Sequence, residues 1–95
     1  MSQRVLKQIR QSIRAGEYDL TRHAVEEMAD DNLSIYDVET AILTGKITKT
    51  ELDDLRGSRY TIIGSAQNYT ISVGVVGRFA KINMYLIITV YEVTD

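Results

Sequence analysis

The sequence predicts an α+β domain, with three helices in its first half and a four-stranded antiparallel sheet in its second. Two observations carry that reading. Up to Gly45 the apolar residues recur at helical spacing, whereas beyond it the repeat shortens to two. Short breaks containing Asn or Gly then separate the alternating runs, which is the mark of hairpins rather than of crossover connections.

The first helix is expected over Gln3 to Ala15. Val5, Leu6, Ile9 and Ile13 form its apolar stripe, Lys7, Arg10 and Arg14 form a basic strip on another face, and Gly16 sits at the C′ position. The second begins near Asp19 or Thr21, either of which can cap it, and buries Leu20, Ala24 and Met28. His23 lies beside that face, with Glu27 one turn on. The third has the clearest signature. Ser34 followed by Asp37 makes a variant capping box, and Ile35, Val38, Ala41 and Ile42 supply the stripe. Gly45 ends this helix, in an expected left-handed conformation.

The strands follow in order. Ile47 to Leu52 reads as an edge strand and Arg59 to Ala66 as the second. After a turn at Gln67-Asn68 comes Tyr69 to Val76; after a turn at Gly77-Arg78 comes a long last strand, Phe79 to Val93. Strict alternation sorts the last strand into two faces. Ala80, Ile82, Met84, Leu86, Ile88 and Val90 form an unbroken apolar set, expected under the helices. Lys81, Tyr85, Thr89 and Tyr91 belong to the opposite, mixed face, together with Arg59, Thr61 and Ile63 of the second strand.

Composition bounds the function. Ninety-five residues make a single domain spanning 1–95, and the 44% hydrophobic and 25% charged fractions are those of an ordinary globular protein. No apolar run, the one that takes in Tyr85 to Ile88 included, approaches the roughly 20 residues that span a bilayer. The opening MSQRVLKQIRQSIR lacks a continuous apolar stretch, so no signal peptide and no membrane partner are expected, and cytoplasm is the default. No cysteine is present, which excludes a disulfide scaffold and a thiolate zinc site. The acidic pairs Asp30-Asp31 and Asp53-Asp54 do not have calcium-loop spacing, and no Gly-rich phosphate loop or dinucleotide fingerprint occurs. No metal and no cofactor are expected. Net charge is only −2, but unevenly placed: +3 over residues 1–22, −7 over 23–54 and +2 over 55–95. That balance argues against avid, nonspecific nucleic-acid binding and leaves room for a local basic surface.

Two groups of residues are candidates for chemistry. His23 is the lone histidine, the side chain whose ordinary pKa suits acid–base work near neutrality. Equally, it reads as a helix histidine at the core edge, bonded to Glu27 or the sheet. The mixed sheet face with Arg59, Lys81, Tyr85, Thr89 and Tyr91 has cations for phosphate and rings for bases, while Arg10 and Arg14 extend a basic path. The same face also fits the solvated side of an antiparallel sheet, and the strip fits the outer side of a helix.

The order of landmarks then resembles a known family. Leu20-Thr21-Arg22-His23-Ala24 precedes Met28, Leu33-Ser34, Asp37-Val38, Ala41-Ile42 and Gly45. Arg59-Tyr60, Gly64 and Ile88-Thr89-Val90-Tyr91 follow. Over residues 9–93 this is similar to the prokaryotic domain of unknown function 4258. That family in turn resembles the RelE-like and barnase-like small ribonucleases of toxin–antitoxin systems, which pack helices on an antiparallel sheet and cut RNA without metal. The resemblance implies His23 as the acid–base group, Arg59 holding the scissile phosphate, and Thr89 and Tyr91 completing the site. It implies an RNA substrate and a small antitoxin protein as partner. Glu27 stands where the family pattern often carries arginine. The rival expectation is a non-catalytic interaction module that uses its acidic helices or its edge strand Ile47 to Leu52, the latter for strand addition by a partner or for a homodimer.

Overall fold

The computed structural model describes residues 2–53 and 55–94. Helices α1 (Ser2–Arg14), α2 (Arg22–Asp30) and α3 (Ile35–Thr44) cover one face of a sheet made of β1 (Tyr18–Leu20), β2 (Lys46–Asp53), β3 (Gly57–Ser65), β4 (Ser72–Lys81) and β5 (Met84–Val93). The helix boundaries follow local chemistry. Thr21 caps α2 by accepting from the Ala24 amide, and Ser34 and Asp37 form the reciprocal capping box of α3. Gly16, at φ +73°, takes the left-handed conformation that closes α1, with the Glu17 amide bonded back to the Ser12 carbonyl.

The sheet differs from the expected meander in three ways. It has five strands in the order β1-β5-β4-β3-β2, and β1 runs parallel to β5, so the sheet is mixed. The stretch before Thr21 is therefore a strand rather than the start of a helix. Secondly, Gly77-Arg78 is not a turn. Both residues pair with β5, and the reversal falls at Ile82-Asn83, where Asn83 takes φ +66°. Gly77 serves another need: a Cβ there would lie 2.5 Å from the Tyr85 ring, which packs across it. Thirdly, the expected inner face of the last strand is largely reversed. Tyr85 and Ile87 are fully buried, whereas Ile82 is 93% exposed and Ala80 lies at the surface. The pairing steps from Val76↔Thr89 to Gly77↔Ile87, leaving Ile88 as an extra, bulged residue. That single insertion puts Tyr85 and Ile87 on the same side as Val90, so unbroken alternation assigns one half of the strand wrongly.

One core results. Ile9 and Ile13 of α1, Ala24 and Met28 of α2, and Val38 and Ile42 of α3 pack onto Ile62, Val73, Val75, Tyr85, Ile87 and Val90. The T-shaped contact of Tyr85 with Phe79, centroids 5.1 Å apart, adds to it. Gly45 ends α3 in an extended conformation, φ −91°, not in the expected left-handed one. Among the described residues, no helix is long and apolar enough to cross a membrane.

Candidate nucleic-acid interface

The residues expected to act together are divided by the fold. Thr89 and Tyr91 alternate with buried Val90 and so face away from the helices, and the Tyr91 ring lies across Gly74. His23 reaches the same end of the molecule from α2. Its Nε2 stands 3.3 Å from Glu27 Oε2, and Glu27 Oε1 accepts a 3.0 Å bond from the Val90 amide. Arg59 is elsewhere. Thr61, Val76 and Thr89 form one row across β3, β4 and β5, and Arg59 lies two residues further along β3. With strands about 4.8 Å apart and a rise of about 3.3 Å per residue, that places its backbone about 12 Å from Thr89. Its guanidinium pairs with Glu51, Nη2 to Oε2 at 3.8 Å, and its Nε is buried without a hydrogen-bond partner among the described residues.

The expected RNA-binding residues are also scattered. Tyr85 is in the core on the helix side, so it cannot stack on a base. Burial, then the neighbouring Tyr60, hold its phenol pKa above the ordinary value. Lys81 ends β4 beside the hairpin tip, at the surface. Arg10 and Arg14 do come together, and with residues that sequence reasoning did not join to them. A groove of about 700 Å³ runs between α1 and the junction of α3 with β2, lined by Lys7, Arg10, Arg14 and Lys46 and, among the described residues, by no carboxylate. Leu6 and Ile47 give it an apolar part.

Arg10 is the fixed part of this groove. Its Nε donates to the Ile42 carbonyl at 3.0 Å and its Nη2 to the Gly45 carbonyl at 2.7 Å, satisfying oxygens that α3 leaves open at its C-terminus. The planar fork therefore anchors α1 to α3 and holds positive charge at the groove. Lys7 and Arg14 stand one turn either side on the same helix strip, and both are exposed. Lys46 arrives from the first residue of β2. The strip was legible in the sequence; the opposing lysine was not, because only the packing of α1 over the α3–β2 junction brings it there.

Four carboxylates of the acidic middle, Glu27, Asp31, Asp37 and Glu39, are engaged in hydrogen bonds elsewhere in the fold. Glu27 on α2 and Asp31 at its C-cap, one turn apart, accept from the Val90 and Glu92 amides at 3.0 Å each, while Thr21 Oγ1 donates to the Ile88 carbonyl. Together they cover the β5 edge beyond the reach of β1. Asp37 bonds the Ser34 and Gln67 amides, which, in that order, hold its pKa below the ordinary carboxylate value. Glu39 accepts from Tyr18 at 2.6 Å; burial first and this carboxylate second push the Tyr18 phenol up to about 12. Among the described residues, no group of three or more His, Asp or Glu side chains is placed to hold a metal ion.

No curated protein and no solved structure matches this chain. The order of landmarks along the sequence has a counterpart at family level, however. The model of the domain of unknown function DUF4258 matches residues 20–92, from the end of β1 almost to the end of β5, and the protein belongs to that family.

Proposed function

We propose that this domain binds RNA through the groove between α1 and the start of β2. The observation that carries the reading is the convergence of Lys7, Arg10, Arg14 and Lys46 on one concavity that, among the described residues, holds no carboxylate. Four cations in a groove neutralise phosphates, and the absence of an aromatic lining residue points to backbone rather than base recognition. The setting in a two-gene toxin–antitoxin module, with a small protein partner, rests on the resemblance to RelE-like and barnase-like proteins.

The test is fluorescence anisotropy on a labelled single-stranded RNA, titrated at several salt concentrations. Up to four neutralised phosphates give a slope of log affinity against log salt of roughly −3. Replacing Lys7, Arg14 and Lys46 by Ala should remove most of that slope, while Arg59→Ala and Lys81→Ala leave it. Binding that survives the groove triple, or a salt-independent affinity, would refute the assignment.

Metal-independent cleavage is a second reading, favoured by one observation: His23 is 65% exposed with the Glu27 carboxylate at 3.3 Å, and that carboxylate also bonds the Val90 amide, between Thr89 and Tyr91 in β5. In that chemistry the RNA 2′-hydroxyl gives its proton to a base, His23, as its oxygen bonds the adjacent phosphorus; the P–O5′ bond breaks, leaving a 2′,3′-cyclic phosphate, and the departing 5′-oxygen takes up a proton from the imidazolium or from water. Arg59 stands outside the cluster, which is why binding is the primary reading. Growth arrest with RNA cleavage on expression, lost in His23→Ala, supports cleavage; bound but intact RNA leaves a binding domain.

A further inference from the structure

The two edges of the sheet are treated differently. On one side β1, Thr21, Glu27 and Asp31 occupy the outward groups of β5. On the other, β2 is an eight-residue strand paired only with β3. Among the described residues, no helix or loop side chain is hydrogen-bonded along its outer edge. Lys46, Thr48, Lys49, Thr50 and Leu52 are all exposed, Leu52 at 78%. Alternate residues of such a strand turn N–H and C=O groups outward, ready to pair with another chain.

We infer that β2 pairs antiparallel with β2 of a second copy, about a two-fold axis at Thr50. Two constraints select this register. Outward-facing residues must meet outward-facing residues, so the axis passes through a residue and not between two. Of the three central choices, an axis at Lys49 opposes two lysines and an axis at Glu51 opposes two glutamates. An axis at Thr50 sets Lys49 against the other copy's Glu51, and Glu51 against its Lys49. Both side chains lie on the open face, since they pair with Thr61 and Arg59, and they already stand 3.7 Å apart within one chain. Leu52 comes opposite Thr48 of the second copy, the bulged residue of β2, which covers an otherwise exposed leucine. The lysines discourage pairing with an unrelated strand, and this register turns them into complementary groups.

The two-fold axis is perpendicular to the joined sheets, so both helix layers lie on the same side. The inference does not depend on RNA binding, although it would set the two Lys46 residues about 26 Å apart along the strand direction.

The protein contains no cysteine, so an introduced thiol reads the register directly. In an antiparallel pair, directly opposed Cβ atoms are about 4.5–5.5 Å apart, close to what a disulfide spans. Under mild oxidation Thr50→Cys should form a disulfide-linked dimer at least about tenfold faster than Leu52→Cys, which lies off the axis. In sedimentation equilibrium the wild type should dimerise with rising concentration. Glu51→Lys should weaken dimerisation at least about tenfold, and the swap Lys49→Glu/Glu51→Lys should restore it. Circular dichroism melts confirm that each variant is folded before it is scored. A wild type that stays monomeric at millimolar concentration, equal cross-linking at positions 50 and 52, or a folded swap that does not rescue would each overturn the inference.

Discussion

Replacing Gly45 by Ala tests why α3 stops where it does. Two explanations make opposite demands. If glycine were needed for a left-handed backbone, Asn would substitute well. The structure instead puts Gly45 at φ −91°, a conformation open to any residue, and presses it against its surroundings. A Cβ there would run into the Ile63 carbonyl oxygen and lie 2.6 Å from the Ala41 oxygen, both backbone atoms that cannot rotate away. The cost falls at the upper end of overpacking, about 3 kcal/mol. For a domain of this size that is a melting-point drop of about 12–24 °C. Gly16 is the internal control. It takes φ +73° with nothing within 4 Å of a built Cβ, so Gly16→Ala should cost only the left-handed strain, about 1–2 kcal/mol. Thermal melts of four variants decide the matter. Asn should recover most of the loss at Gly16 and none at Gly45. Recovery by Asn at Gly45 would show that conformation, not contact, dictates the residue.

The buried hydroxyl of Tyr85 has no hydrogen-bond partner among the described residues, so Tyr85→Phe should leave stability unchanged or raise it by up to about 1 kcal/mol in urea unfolding, with RNA affinity unaltered. A clear loss of stability would reveal a bonded phenol. The bulge at Ile88 predicts that Ile87→Asp, a charge placed in the core, costs about 4 kcal/mol or more, whereas Ile82→Asp melts like the wild type; the reverse order would restore simple alternation. Asp37→Ala should cost about 1–2 kcal/mol by loss of the capping box. Because the folded-state pKa of Asp37 is depressed, its contribution is complete above the unfolded value, about 3.9, and is lost as pH falls through the folded value. The gap between wild type and variant in denaturant melts should therefore close in acid; a gap that widened would contradict the sign.

What was legible in the sequence was what neighbours decide. The three helices are local objects: a stripe at 3.6-residue spacing and a cap such as Ser34 with Asp37 suffice to place them, and the structure has them within a residue or two. The sheet is not local. Strand β1 is three residues long, too short to show alternation, and exists only because β5, more than 60 residues later, offers it an edge. The extra residue at Ile88 is invisible to a period-two count, yet it decides which of Tyr85 and Leu86 enters the core. The candidate site divides along the same line. Lys7, Arg10 and Arg14 on one helix strip could be read from spacing, but their meeting with Lys46 is tertiary. Tyr85 looked like a surface ring because its face was counted without the bulge.

The acidic middle of the chain also changes meaning once the fold is known. Glu27, Asp31, Asp37 and Glu39 each accept a hydrogen bond from a named amide or phenol, so they complete the sheet edge and the α2–α3 side. Helix α1 carries basic residues and no acidic one, and folding keeps it against β2. This segregation leaves a basic groove on a chain of net charge −2. It also separates two roles within the groove. Lys7 and Arg14 are exposed, so their replacement by Ala should weaken RNA binding and leave the melting temperature within a few degrees. Arg10 does both jobs. Arg10→Ala strips two carbonyls of a charged donor and should cost about 2 kcal/mol or more as well as affinity. Arg10→Lys keeps the charge but cannot bridge the Ile42 and Gly45 oxygens with a planar fork. It should therefore retain most of the RNA affinity and recover only part of the stability. If lysine restored stability fully, the fork would be incidental; if it restored stability but not affinity, the groove would not be the binding surface.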